Sequence, residues 1–127
     1  MTSHASDGAT PRVLVVDDDP AIRDFVGQAL EEEGYEVRLA VNGQDALTTL
    51  SDWPANLIVL DLMMPTMDGW TFRDRQRESK ALANIPVIVM SAARNLVGQT
   101  ERLAPAAILP KPFDLDALLT ETERLLS

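Results

Sequence analysis

The sequence predicts an α/β fold: a parallel sheet with helices packed on both faces. Two observations lead there. Strand-like and helix-like stretches alternate five times, with no internal repeat and no linker between them. The stretches "NLIVLD" and "IPVIVMSA" are apolar throughout rather than alternating, as strands covered on both faces must be. At 127 residues the chain fits one domain that can bury a real core. Residues 1–10, "MTSHASDGAT", are small, polar and aperiodic, and read as a disordered tail ahead of a folded domain at 11–127.

"RVLVVD" opens that domain as a short β-branched strand ending at Asp17. "PAIRDFVGQALEEEG" follows as a helix, with Ile22, Phe25, Val26, Ala29 and Leu30 at helical spacing. Asp19 and Pro20 suit its start and Gly34 its stop. "YEVRLA" alternates as a second strand, and "GQDALTTLSDW" is a short helix with Ala46, Leu47 and Leu50 on one side. "NLIVLD" is the third strand and ends in Asp61. In "DGWTFRDRQRES" Trp70 and Phe72 are apolar, but Arg73 to Ser79 offers no further core stripe. Residues 73–80, "RDRQRESK", therefore read as a solvated helix face. "IPVIVMSA" is the fourth strand. "RNLVGQTERL" is a weak helix, because a central Gly98 costs about 1 kcal/mol relative to alanine. "AAIL" is a short fifth strand. "DLDALLTETERLLS" closes the chain as an amphipathic helix with Leu115, Leu118, Leu119, Leu125 and Leu126 on one face.

Composition removes several function classes. A net charge of −9 argues against direct nucleic-acid binding, which needs a basic surface. No apolar run is long enough for membrane insertion, and no signal peptide is visible. With no cysteine there is no disulfide framework, so a cytoplasmic location is expected. A lone histidine, His4, cannot build a histidine cluster, and no glycine-rich "GK[ST]" segment exists for a P-loop enzyme.

In parallel α/β sheets ligands bind beyond the carboxyl ends of the strands. Here those ends carry Asp17, Asp18 and Asp19, then Asp61, Ser91 and Lys111. Two carboxylates about 4 Å apart repel by roughly 4 kcal/mol at an effective dielectric near 20. Asp17, Asp18 and Asp61 together call for a cation, and an all-oxygen pocket suits Mg²⁺. Mg²⁺ shares its shell readily with phosphoryl oxygens, Lys111 adds a second positive charge, and Ser91 offers a donor. These parts fit phosphoryl transfer onto Asp61 as the nucleophile. Each residue taken singly has a plainer role: Asp19 as a helix cap, Asp68 as a turn and helix start, and Ser91 or Lys111 as structural or solvated. Their combination at successive strand ends is what points to a site.

Four stretches, "VLVVDDDP", "LIVLDLMMPTMDGW", "IPVIVMSA" and "KPF", stand in an order and spacing that resembles the receiver domain of two-component response regulators, over about residues 12 to 126. The resemblance implies a flavodoxin-like, doubly wound sheet of strand order 2-1-3-4-5 flanked by five helices. It implies a phosphoprotein of a phosphorelay, with Asp61 accepting the phosphoryl group of a histidine kinase or phosphotransfer protein as an aspartyl phosphate. Asp18 is similar to the family's direct Mg²⁺ ligand, Asp17 acts close by, and the Met63 backbone carbonyl completes the protein's share of the shell with Asp61. Ser91 would hydrogen-bond the phosphoryl group and Lys111 would pair with it. The Lys111–Pro112 bond is expected to be cis.

By the same resemblance the chain is a switch rather than an enzyme, assisting its own phosphorylation and dephosphorylation. It would signal to a downstream protein through the face of helix 4, strand 5 and helix 5, as a monomer or a weak phosphorylation-dependent dimer. The chain stops soon after the last helix, as in a stand-alone or excised receiver, and Met1 tips the expectation toward the former.

Three departures stand out. Ile108 occupies a position where the family usually has Tyr or Phe, so a signal carried by a swinging aromatic ring is unavailable in that form. The stretch between Ser91 and Lys111 is slightly short and lacks the common Gly-Ala, which predicts a short fourth helix. Arg73 stands where many relatives have an aliphatic residue. The alternative readings are an interaction module of the same fold that works without phosphate, and a phosphatase. The second is disfavoured because Met63 sits where such hydrolases place an acid.

Overall fold

A computed structural model describes residues 9–96, 98 and 103–127. Five strands, β1 (Arg12–Val16), β2 (Glu36–Ala40), β3 (Leu57–Asp61), β4 (Val87–Ala92) and β5 (Ala107–Lys111), form one parallel sheet in the order β2-β1-β3-β4-β5. The helices are α1 (Pro20–Glu32), α2 (Gly43–Asp52), α3 (Gly69–Glu78), the single turn α4 (Ala93–Leu96) and α5 (Leu115–Leu126). The expected five-stranded order is observed. Four of the five helices have ten residues or more, and the fourth is one turn among the described residues. The tail expectation falls largely on residues 1–8, which lie outside the described residues. Of the expected helix "RNLVGQTERL" (94–103), residues 94–96 are helical in α4, while 97 and 99–102 lie outside the described residues.

Side-chain alternation in the strands sets the layers. Leu14 and Val16 of β1, Ile58 and Leu60 of β3, and Val87 and Val89 of β4 pack under α2 and α3 with Ala46, Leu50 and Phe72. Val13 and Val15, Leu57 and Val59, Ile88 and Met90 face the other way, against Val26 and Leu30 of α1 and Leu118 of α5. Every residue of β3 is buried, which is why its sequence shows no alternation.

Local signals set the helix ends. The Asp19 side chain accepts from the Ala21 and Ile22 amides, a cap of about 1 kcal/mol. Asn42, Asp68 and Asp114 cap α2, α3 and α5 in the same way. Gly34, at φ 98°, ends α1 in the left-handed region that glycine enters without cost.

Two expectations are corrected. Helical spacing puts Phe25 on the core stripe of α1, but it is 55% exposed, and Gly27 takes the buried position instead, against Leu39. Residues 73–80 are not wholly a solvated face. Arg73 and Gln76 are buried, because the guanidinium and the amide satisfy one another and nearby backbone carbonyls.

Candidate functional site

The alternation that builds the core also delivers the charged residues. Asp17 continues the parity of Val13 and Val15, Asp61 that of Leu57 and Val59, and Lys111 that of Ala107 and Leu109. All three therefore leave their strands on the α1–α5 side. With strands about 4.8 Å apart, Lys111 starts two strands from Asp61, so only a long amine spans the gap.

The Lys111 Nζ lies 3.0 Å from Asp17 Oδ2 and 3.3 Å from Asp61 Oδ1. Asp17 is fully buried and Asp61 nearly so, whereas Asp18 is exposed at the rim. One carboxylate oxygen from each of the three lies within 4.8 Å of the others. Asp17 is held at every polar atom. Its N–H donates to the Ala40 carbonyl at 3.1 Å, its carbonyl accepts from Arg23 Nη1 at 2.9 Å, and its Oδ1 accepts from the Asp19 N–H at 2.9 Å.

The electrostatics follow. Burial and then the neighbouring Asp17 charge push the Asp61 carboxyl up to about 6, although Lys111 opposes them. Burial alone would lower the Lys111 ammonium, but its hydrogen bond to Asp17 and the Asp61 charge outweigh that and raise it. One ammonium does not neutralise three carboxylates. The excess negative charge and the oxygen-only donor set fit a hard divalent cation.

Ser91 is buried at the end of β4, one residue beyond the Met90 that pairs with Asp61. Met63, two residues past Asp61, exposes its side chain. The loop between them and α3 folds back tightly. The Gly69 N–H donates to the Leu62 carbonyl at 2.9 Å, and a Cβ at Gly69 would fall 2.5 Å from the Asp61 carbonyl oxygen. The Lys111–Pro112 bond is cis, as expected.

A sequence profile of the response regulator receiver domain matches residues 13–123. The chain belongs to the response regulator receiver domain family. As a receiver domain of two-component systems it resembles the DNA-binding dual master transcriptional regulator RpaA of Synechocystis, with 38% identity over 118 residues covering 91% of this chain and 49% of RpaA. The transcriptional regulatory protein TrcR of Mycobacterium tuberculosis is 34% identical, with 97% of this chain and 48% of TrcR covered. The chain spans about half the length of these two relatives. Among solved structures, the chemotaxis response regulator CheY4 of Vibrio cholerae superposes with a TM-score of 0.84 at 28% identity, covering 93% of this chain and all of CheY4.

Three features of this receiver domain escaped sequence reasoning. Arg23 reaches the Asp17 carbonyl from the first turns of α1; a basic residue four positions after the capping Asp19 is the signal that could have revealed it. Thr66, in the loop after Asp61, sits at φ 70°, where a β-branched residue is strained, and nothing in its sequence shows this. The buried pair Arg73 and Gln76 is the third.

Proposed function

We propose that Asp61 accepts a phosphoryl group from the phosphohistidine of a histidine kinase or phosphotransfer protein, in a Mg²⁺-dependent step. The phosphorylated domain then changes its affinity for a downstream protein at the face of α4, β5 and α5. The observation that carries this reading is the Lys111 ammonium within 3.3 Å of an Asp61 carboxylate that two further aspartates surround.

Asp17, Asp18, Asp61 and the Met63 carbonyl would hold Mg²⁺, which when bound neutralises charge on the phosphoryl oxygens. The ionised Asp61 carboxylate attacks phosphorus, forming an O–P bond as the donor's N–P bond breaks. The imidazole leaves with that electron pair. No general base is needed, since the nucleophile carries no proton above about pH 6. Lys111 shifts from the carboxylates to the new phosphoryl oxygens, and the Ser91 hydroxyl donates to one of them. The phosphoryl group adds nearly two negative charges at the end of β3, which biases the chain after β4. Asp61→Asn should abolish phosphorylation of a domain that still folds; acid-labile phosphate persisting on that variant would refute the assignment.

A further inference from the structure

The chain that leads into β5 is gripped from three directions. Arg73 of α3 donates from Nε to the Leu103 carbonyl at 2.7 Å and from Nη2 to the Ala104 carbonyl at 2.8 Å. Its Nη1 donates to Gln76 Oε1 at 2.7 Å, and the Gln76 amide donates in turn to the Leu82 and Ile85 carbonyls at 2.9 and 3.0 Å. Two residues further on, the Ala106 N–H donates to the Val87 carbonyl of β4 at 2.8 Å. The Ala106 carbonyl accepts from Arg124 of α5 at 3.2 Å.

The Arg73 contact differs from the other two in its setting. The guanidinium is buried, its acceptors among the described residues are neutral, and burial with the nearby Arg77 charge pushes it below its ordinary value. A buried cation without its acceptors is costly, so releasing these carbonyls and exposing the side chain must occur together. Ala104 sits at φ 44°, a left-handed conformation that alanine avoids and that the two Arg73 bonds offset. The strained turn and the buried cation that holds it therefore depend on each other.

We propose that Arg73, supported by Gln76, is a buried latch that fixes the turn at residues 103–104 to α3 and so sets how the chain enters β5. One consequence rests on the phosphoacceptor reading. Because α3 starts in the loop that follows Asp61, the latch links that loop to the segment before β5, in a chain where Ile108 replaces the usual aromatic.

The test is hydrogen exchange read at the Ala106 amide and along β5, in wild type, Arg73→Leu, Arg73→Lys and Gln76→Leu. Without phosphodonor, Arg73→Leu should exchange Ala106 at least about tenfold faster, with β1 and β3 amides unchanged and Arg73→Lys recovering part of the protection. If the leucine variant fails to fold, Gln76→Leu and Arg73→Lys carry the comparison. Exchange at Ala106 within about threefold of wild type in all folded variants would overturn the latch. The second arm adds Mg²⁺ and acetyl phosphate, with intact mass confirming the adduct. Wild type should then change exchange in both α3 and residues 106–108, and Arg73→Leu in α3 alone. The same change at 106–108 in both proteins would overturn the linkage. If wild type takes no phosphoryl group from acetyl phosphate or from a cognate kinase, the phosphoacceptor reading fails, and the first arm decides the latch.

Discussion

Lys111 and Asp61, fifty residues apart in sequence, meet at 3.3 Å across the carboxyl end of the sheet. The contact exists because period-two alternation puts both on the same face and because a lysine stem is long enough to pass β4. The same contact leaves Asp61 underneutralised, since burial and Asp17 together outweigh Lys111. That imbalance generates the first two predictions.

Asp61 is raised from 3.8 to about 6 in the folded domain, so between those values the folded state binds more protons than the unfolded one. Stability therefore falls as pH rises through this window, and the full cost is present above about 6. Asp61→Asn removes the cost. In metal-free denaturant unfolding it should be more stable than wild type by about 1–3 kcal/mol at pH 7.5, with the advantage fading toward pH 4. An advantage independent of pH would show that Asp61 titrates near its ordinary value.

If Asp61 is a Mg²⁺ ligand as proposed, protons compete with the cation for the same oxygen. Apparent Mg²⁺ affinity should be flat above pH 7 and fall by about tenfold per pH unit below about 6, as measured by calorimetry. A flat profile down to pH 4.5 would detach Asp61 from the metal shell.

Gly69→Ala places a methyl group 2.5 Å from the Asp61 carbonyl oxygen and 2.7 Å from the Leu62 Cα, neither of which can yield without moving the site. A loss of about 2 kcal/mol is expected, together with weaker Mg²⁺ binding. Unchanged stability would mean that the loop has slack.

Thr66 holds a left-handed conformation that asparagine adopts more readily. Thr66→Asn should stabilise the domain by about 0.5–1 kcal/mol in thermal unfolding. Destabilisation would mean that the threonine side chain makes a contact outweighing its strain.

The parallel sheet was legible in the sequence because β3 and β4 are apolar up to Asp61 and Ser91, and the helix starts at Asp19 and Asp68 were legible because a carboxylate before a helix has a local meaning; the same cap at Asp114 was not read. The acidic group was legible for a different reason: successive strand ends in this architecture share one edge, so Asp17, Asp61 and Lys111 could be placed together before any distance was known. Arg73 was misread because a charged residue in a polar run looks solvated. Its partners, the carbonyls of Leu103 and Ala104, lie about thirty positions away and carry no side-chain signal. Phe25 failed the opposite way. Helical spacing marks a stripe but not its width, and α1 buries Gly27 against β2 instead.

The central claim is tested most directly by intact-protein mass after incubation with a small phosphodonor, with and without Mg²⁺, beside Asp61→Asn. One added phosphoryl group, on wild type only and with Mg²⁺ only, is the predicted result. A wild-type domain that stays unmodified with a small donor and with a cognate kinase, or an adduct that survives Asp61→Asn, would contradict it.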